Sequence, residues 1–302
     1  MVLVLVAARL IYDLSDYQRH RQAEQPQVER DSQELLQRIE ALLEQQIADS
    51  PFEVSLFLYD LHHQLEIDFH GSRSIYPASM IKNLILVSAL QEVERKRISL
   101  DESFQLRQED KYEGDTPVTG TGVLQFSAAG EKYTLEELLI LMIAESDNIA
   151  ANMILDRLGR ERINSLASGV AMEDTAVNRR MFELESPYPS NSSSARDLTN
   201  LLIALVEGEL LGDSLTTRAL DIMSEGEYRE RIGRYLDREV RVANKLGTVS
   251  TMVGDTALIF FPDRSPVAVT VIVEKPEEIG VEMAEREIGR LVSTLILFLE
   301  FI

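Results

Sequence analysis

The chain has 302 residues, of which 45% are hydrophobic and 27% are charged, and this composition is typical of a globular protein with a large core. Its 51 acidic residues outnumber its 30 basic ones and give a formal net charge of −21. That charge repels a phosphate backbone, so we predict no nucleic-acid partner. The absence of cysteine excludes disulfides, thiol catalysis and cysteine-based zinc sites.

The first eight residues form an almost wholly apolar run that ends at Arg9. About 20 apolar residues are needed to span a bilayer, so this run is too short to cross a membrane. Two interpretations stay open: the remnant of a signal-anchor that acts as a membrane tether, or a short helix that packs on the body. Residues 17–31 are polar and glutamine-rich, which favours a linker. We assign residues 1–31 to this N-terminal apolar segment and linker.

From residue 32 onward, hydrophobic periodicity predicts the secondary structure. The predicted helices cover 32–47, 79–95, 135–144, 149–158, a segment capped by Ser192–Ser194 that runs to Val206, 215–223 and 281–299. The predicted strands cover 54–59, 65–69, 241–248, 256–261 and 267–273, with turns at 61–64, 254–255 and 262–264.

The order of these elements predicts an α/β (α+β) fold. Strands from the two ends of the chain would form one antiparallel sheet, flanked by the N- and C-terminal helices. We expect residues 32–302 to be a single catalytic module. It would combine an α/β lobe, 32–100 with 240–302, and an all-helical lobe, 101–239, with the active site in the cleft between them.

Three short motifs occur in a chemically meaningful order: Ser79 with Lys82, then Ser146-Asp147-Asn148, then Lys245-Leu246-Gly247. A serine hydroxyl needs an adjacent base to become a nucleophile. An uncharged lysine can be that base when burial or nearby cations lower its pKa. Residues three apart share a helix face, so Ser79 and Lys82 should point into the same cleft.

Each motif alone is weak, and a bland alternative exists. Ser79 would then be a helix cap, Lys82 a solvated side chain and residues 146–148 a connection between helices. The alternative does not explain Lys82, because it lies beside Ile81 in a helix apolar enough to be buried. We therefore favour a catalytic serine–lysine pair.

With these motifs the chain resembles the class A β-lactamase family, part of the penicillin-recognising serine enzymes that include D-alanyl-D-alanine peptidases. The resemblance runs from about residue 32 to the end. Further matching stretches are Gly120–Gln125, Tyr133–Leu135, Asn148–Asn152 and Ser194–Leu198. It implies hydrolysis of the β-lactam amide through an acyl-serine intermediate, with no metal or organic cofactor.

The resemblance also implies a role for each motif residue. Ser79 would attack the carbonyl carbon, and Lys82 would take its proton. Ser146 would pass a proton to the leaving nitrogen, while Asn148 would hold the side-chain amide of the substrate. Lys245 would keep the site positive, which lowers the pKa of Lys82 and attracts a substrate carboxylate.

The third motif departs from the family pattern. Leu246 stands where the family usually has Thr or Ser, so one hydroxyl that binds the substrate carboxylate is missing. Gly247 and Thr248 complete the predicted substrate-binding residues. The backbone N–H groups of Ser79 and Thr248 would form the oxyanion hole, which can contribute several kcal/mol.

The larger departure concerns deacylation. Class A enzymes activate the hydrolytic water with a glutamate in a long loop. The corresponding segment here, 179–193, is short and lacks the Glu-x-x-x-Asn pattern. Glu183 and Glu185 are candidate substitutes, with Glu145 a more remote one. An exposed loop carboxylate is an equally good interpretation of the first two, so we expect intact acylation and slow deacylation.

Three functional hypotheses follow. The first is a β-lactamase-type hydrolase with slow turnover. The second is a D-alanyl-D-alanine peptidase-like cell-wall hydrolase, and the third is a penicillin-binding sensor or scaffold that does not turn over. The expected partner is a small-molecule β-lactam or a D-Ala-terminated peptide. We expect a monomer that is exported, periplasmic or extracellular, because these substrates are met outside the cytoplasm.

Overall fold

The computed structural model describes residues 39–226 and 228–300. The described residues divide into two compact units, 39–49 with 294–300, and 50–226 with 228–293. In the first unit, residues 39–48 form helix α1, which overlaps the predicted helix 32–47 and extends one residue beyond it. The apolar N-terminal run and the linker lie outside the described residues. Within 39–226 and 228–300, no helix has the length and apolarity needed to cross a membrane.

One five-stranded antiparallel sheet forms the frame of the second unit. Its strands are β1 Glu53–Asp60, β2 Leu65–Phe69, β7 Arg241–Val249, β8 Met252–Phe261 and β9 Arg264–Glu274, in the spatial order β2-β1-β9-β8-β7. Strands β1 and β9 pair along their length, which joins the two ends of the chain in one sheet. The predicted fold class is thereby confirmed.

Seven further helices are described: α2 Lys82–Glu94, α3 Leu135–Ala144, α4 Asn148–Leu158, α5 Arg160–Gly169, α6 Ala195–Val206, α7 Asp213–Ser224 and α8 Val281–Leu299. The sequence analysis missed α5. Gly159 ends α4 with φ +82, as expected of a stop residue, but a second helix begins at the next residue. The helix predicted after Ser192–Ser194 is present, and Ser194 is the residue that caps it, since its Oγ accepts the Asp197 N–H at 3.2 Å.

The middle segment 101–239 is not entirely helical. It also contains two small antiparallel pairs, β3 Ser103–Gln105 with β6 Lys132–Thr134 and β4 Tyr112–Glu113 with β5 Thr116–Pro117. These strands are two or three residues long, too short for a period of two to be recognised in the sequence.

Helix α2 lies at the centre of the helical core and contacts α3, α4, α5 and α7. Helix α6 packs on the sheet against β1, β8 and β9. Nearly every residue in the first two turns of α2 is buried, including polar ones. The element that follows Ser79 is therefore the most enclosed helix of the unit.

The turn predicted at 254–255 is wrong, because both residues lie inside β8, opposite Gly247 and Leu246 of β7. Gly254 is a packing glycine rather than a turn glycine. A Cβ there would lie 2.8 Å from Cε of Met80. Asp255 is fully buried and accepts hydrogen bonds from Nδ2 of Asn244 at 3.1 Å and from the Ile232 N–H at 3.2 Å.

Candidate active site

A cavity of about 420 Å³ lies where the helical core meets strand β7. It is lined by Tyr76, Ala78, Ser79, Gly120, Thr121, Ser146, Asn148, Met181, Phe182, Tyr228, Arg231, Lys245, Leu246, Thr248 and Val249. Most predicted site residues are brought together here. Lys82 and Gly247 lie beneath the lining, and Glu183 and Glu185 do not contribute to it.

Ser79 lies in a 3₁₀ turn, Ala78–Ile81, that leads directly into α2. The preceding residue, Ala78, is held at φ +46. A residue with a Cβ rarely adopts this left-handed conformation, which costs of order 1–2 kcal/mol. The turn keeps Ser79 half-buried at the cavity wall, while the two residues that follow it, Met80 and Ile81, are fully buried in the core.

Gly247 lets strand β7 approach this turn closely. A Cβ at Gly247 would lie 3.0 Å from Cγ of Met80 and 3.1 Å from the Pro77 carbonyl oxygen. Any larger residue would push the strand away from the serine. The glycine of the third motif thus acts by fitting β7 against the 3₁₀ turn, and this places Thr248 and Ser79 on the same cavity.

The Ser-Asp-Asn motif connects α3 and α4. Asp147, for which the sequence analysis had no role, is the buried N-cap of α4: its Oδ1 accepts the N–H groups of Ile149 and Ala150 at 2.8 and 3.0 Å. Its Oδ2 accepts the Leu124 N–H at 2.8 Å. Ser146 has φ +53. Asp147 fixes this bend, so that the residues on either side of it face the cavity.

Lys82 is fully buried and surrounded by acceptors from the second motif. Its Nζ donates to the Ser146 carbonyl oxygen at 2.7 Å, to Oδ1 of Asn148 at 2.8 Å and to Oγ of Ser146 at 3.3 Å. Burial, together with the positive charge of Lys245, holds the pKa of Lys82 well below its usual value, against a weaker opposing effect of Asp147. Lys82 is therefore suited to be a neutral base.

Lys245 reaches the same hydroxyl from strand β7. Its Nζ donates to Oγ of Ser146 at 3.0 Å and to its neighbour's carbonyl oxygen, that of Leu246, at 3.3 Å. Burial lowers the pKa of Lys245 to about 7; the Asp255 carboxylate opposes that shift and Arg231 adds to it. The charge of Lys245 therefore changes near neutral pH.

The two lysines thus meet at the Ser146 hydroxyl. Among the described residues, no hydrogen bond joins Lys82 to Oγ of Ser79, although the spacing predicts that they share a face. Lys82 is the first residue of α2 and directly follows the 3₁₀ turn. Its Nζ donates instead to the Ser146 carbonyl oxygen and to Oδ1 of Asn148. Proton transfer from Ser79 to Lys82 stays a prediction.

The Asn148 side chain braces the cavity. Its Oδ1 accepts from Lys82, and its Nδ2 donates to the Thr119 carbonyl oxygen at 2.7 Å. The predicted contact between Asn148 and a substrate amide would use the second lone pair of the Asn148 Oδ1 atom, or it would displace Lys82 or the Thr119 carbonyl group. Asn148 therefore positions the base in addition to its predicted binding role.

Arg231 is a cavity residue that the sequence analysis missed. It is buried and donates from Nη1 to the carbonyl oxygens of Gly247 at 2.8 Å and Gly254 at 2.6 Å. Its Nη2 reaches Oγ1 of Thr248 at 2.6 Å and forms an ion pair with Glu285 at 3.3 Å. In the sequence it lies in a run rich in arginine and glutamate, which has no distinguishing signal. It supplies the positive charge on the side of the cavity where Leu246 lacks a hydroxyl.

Met181 occupies the loop wall of the cavity. Asn152 in α4 fixes its backbone from both sides, since Nδ2 donates to the Met181 carbonyl oxygen at 3.0 Å and Oδ1 accepts the Met181 N–H at 2.7 Å. The Met181 side chain is 6% exposed. The position that faces the cavity from this loop therefore carries a thioether and no proton acceptor of useful strength.

The two loop glutamates point elsewhere. Glu183 accepts from Arg160 at 3.0 Å, from the Arg180 N–H at 2.8 Å and from Ser186 Oγ at 2.7 Å. Partial burial would raise its pKa, but these hydrogen bonds and the nearby arginines outweigh burial and lower it. A stabilised, paired carboxylate is a poor base. Among the described residues, no carboxylate lines the cavity.

The pKa of Lys245 predicts how acylation depends on pH. Above pH 7 this group loses its proton, because its pKa is about 7, and the charge that attracts the substrate carboxylate is lost with it. We expect the second-order rate constant for acylation by a carboxylate-bearing β-lactam to fall at least about tenfold between pH 7 and 9. Stopped-flow labelling with a fluorescent penicillin measures it. Lys245→Arg, which stays protonated, should flatten the profile; an equal decline in both proteins would contradict the assignment.

The fold and this cavity define a serine hydrolase that places two buried lysines around its hydroxyl groups. The β-lactamase enzyme family model matches residues 34–297, and the chain belongs to this family. It is 28% identical to a β-lactamase of Streptomyces lavendulae over 223 residues, which are 70% of this chain and 71% of that protein.

Solved structures agree with this family. The structure of PBP-A is 25% identical and superimposes with a TM-score of 0.79, over 88% of this chain and 97% of that one. A leucine-to-glutamate mutant of PBP-A, solved as an acyl-enzyme with penicillin G, has a TM-score of 0.80 at 25% identity, over 88% of this chain and 98% of that chain. The chain is therefore a serine hydrolase of the class A β-lactamase type.

Proposed function

We propose that Ser79 is acylated efficiently by β-lactams and that the acyl-enzyme is hydrolysed slowly. One observation carries this proposal: among the described residues the cavity is lined by Ser79 and Lys245 but by no carboxylate, Lys82 lies beneath it, and Met181 lines its loop wall. Acylation needs the first set of groups. Hydrolysis of the ester needs a base that activates water.

The residues divide the acylation step between them. Oγ of Ser79 forms a bond with the β-lactam carbonyl carbon, and its proton passes to neutral Lys82. The C–N bond of the ring breaks, and the nitrogen takes a proton from the Ser146 hydroxyl. Ser146 regains a proton from Lys82, whose Nζ lies 3.3 Å away. The charge of Lys245 and Arg231 holds the substrate carboxylate.

Intact-protein mass spectrometry tests the proposal. After mixing with penicillin G, the protein should gain the full mass of the antibiotic within seconds, and the adduct should persist for minutes or longer after free antibiotic is removed. Ser79→Ala is the control and should gain no mass. An adduct that never forms would contradict acylation. A chromogenic cephalosporin consumed over many turnovers per minute would contradict slow hydrolysis.

The relatives favour a β-lactamase-type hydrolase over a sensor or a peptidase. The burst in that experiment, together with a separate peptide assay, addresses the two alternatives. A stoichiometric burst with no later turnover would favour a sensor, and release of D-alanine from a D-Ala-terminated peptide would favour a peptidase. Because β-lactams are met outside the cytoplasm, we also propose an exported location.

A further inference from the structure

A second cavity, of about 860 Å³, lies beside the active site. It is formed largely by the segment between α7 and β7, and Tyr228 lines both cavities. Its charged lining residues are four arginines and two glutamates: Arg229, Arg234, Arg238, Arg241, Glu230 and Glu239. In a chain with a net charge of −21, such a concentration of guanidinium groups is exceptional.

Arg229 organises the wall of this cavity. Among the described residues, its guanidinium donates only to backbone carbonyl oxygens, those of Leu236 at 3.3 Å, Asp237 at 2.7 Å and Val240 at 3.0 Å. Carbonyl groups satisfy its hydrogen bonds but carry no net charge, so the positive charge of Arg229 is not neutralised by these partners. The backbone of residues 236–240 is therefore hydrogen-bonded around the Arg229 guanidinium group.

Part of the positive charge of this cavity is not held in an ion pair among the described residues. Arg241 is paired with Asp221 at 2.9 Å. Arg234 donates to the Glu230 carbonyl oxygen at 3.0 Å. Within residues 39–226 and 228–300, no carboxylate forms an ion pair with Arg229, Arg234 or Arg238. Guanidinium groups bind carboxylates and phosphates with charge-assisted hydrogen bonds.

Tyr228 places this cavity on the side of the substrate's leaving group. Its hydroxyl donates to the Ala144 carbonyl oxygen at 2.5 Å, two residues before Ser146. Its own carbonyl oxygen accepts from Nδ2 of Asn244 at 3.1 Å, and Asn244 directly precedes Lys245. Tyr228 thus bonds to Ala144, two residues before Ser146, which would protonate the leaving nitrogen, and to Asn244, the residue before Lys245, which would hold the substrate carboxylate.

We propose that the arginine-lined cavity is an anion-binding subsite that takes a carboxylate carried by the leaving-group portion of the substrate. The inference rests on the proposed function, because it assigns the cavity to the same substrate that acylates Ser79. It names the substrate class more narrowly: an amide whose leaving portion bears a second acidic group beyond the one held by Lys245 and Arg231.

A pair of cephalosporins provides the kinetic test. Both compounds carry an aryl substituent at C3, which belongs to the leaving-group portion of the molecule. In one compound this aryl group bears a carboxylate, and in the other it does not. We expect the anionic compound to acylate Ser79 at least about fivefold faster at low ionic strength, with the advantage shrinking as salt is added. The double variant Arg234→Gln/Arg238→Gln should lose this preference. The control Arg95→Gln/Arg162→Gln has the same charge change elsewhere on the surface and should keep it.

Calorimetric titration with citrate separates this inference from the proposed function. If neither cephalosporin acylates Ser79, the proposed function fails, yet citrate binding that is lost in Arg234→Gln/Arg238→Gln and kept in the control still supports an anion site. Citrate binding without any preference between the cephalosporins overturns the assignment to substrate and leaves a site for a free polyanion. Equal behaviour of the double variant and the wild type in both measurements overturns the proposal entirely.

Discussion

Lys82→Ala should reduce the rate of Ser79 acylation by about 10²- to 10⁴-fold, the usual contribution of a general base. The reason is that Lys82 is fully buried, its pKa is held well below the usual value, and its Nζ lies 3.3 Å from Oγ of Ser146. Gel fluorescence after labelling with a fluorescent penicillin gives the rate. The fold should survive, at a cost of about 1–3 kcal/mol for the acceptors left unpaired at residues 146 and 148.

Lys111→Ala is a matched control for this variant. Lys111 also donates to backbone carbonyl oxygens, those of Gln125 and Ser127, but it does not line the active-site cavity. It should label at the wild-type rate. Circular dichroism melting of all three proteins distinguishes loss of the base from loss of the fold. Full-rate labelling of Lys82→Ala would contradict the role of Lys82.

Met181→Glu should have the opposite effect and accelerate deacylation by about 10²-fold or more. Asn152 fixes the backbone of residue 181 through its N–H and C=O, so a new side chain inherits the same direction into the cavity. Glutamate is close to methionine in length. Burial will raise the pKa of the new carboxyl group, which strengthens it as a base near neutral pH. The half-life of the penicillin adduct, followed by intact-mass measurement, is the readout.

Met181→Gln is the isosteric control, because it has the shape of glutamate but cannot accept a proton. We expect its adduct to persist as in the wild type. If both variants shorten the half-life equally, the gain comes from loosening the loop. If neither does, the position of Met181 relative to the ester is not the one we infer.

The sequence was sufficient to predict the sheet, most helices and the main catalytic candidates, for physical reasons. Lys82 stood out because a lysine inside an apolar helix needs a reason, and the structure shows it buried among polar acceptors. Ser146 and Lys245 followed from the order of the motifs. These signals are local, so a single sequence displays them.

Other site features depend on contacts between distant segments. Arg231 looked like part of a solvated charge run, and its burial against β7 and β8 arises only in the fold. Met181 became visible as the cavity-facing loop residue only through Asn152, which lies 29 positions away. The glycine-aspartate pair at 254–255 looked like a turn, because its opposite partners on β7 are not evident from composition.

Because helix α2 is buried within the second unit, we expect the catalytic residues to be in position only when the whole unit is folded. Ser79 lies in the turn just before α2, and Lys82 is the first residue of this helix. Helices α3, α4, α5 and α7 all pack against α2. Local unfolding at the surface cannot displace α2, because moving this helix requires the core to unfold. We therefore expect labelling of Ser79 by penicillin to report the fraction of folded protein. It should be lost at the same denaturant concentration as the global unfolding transition.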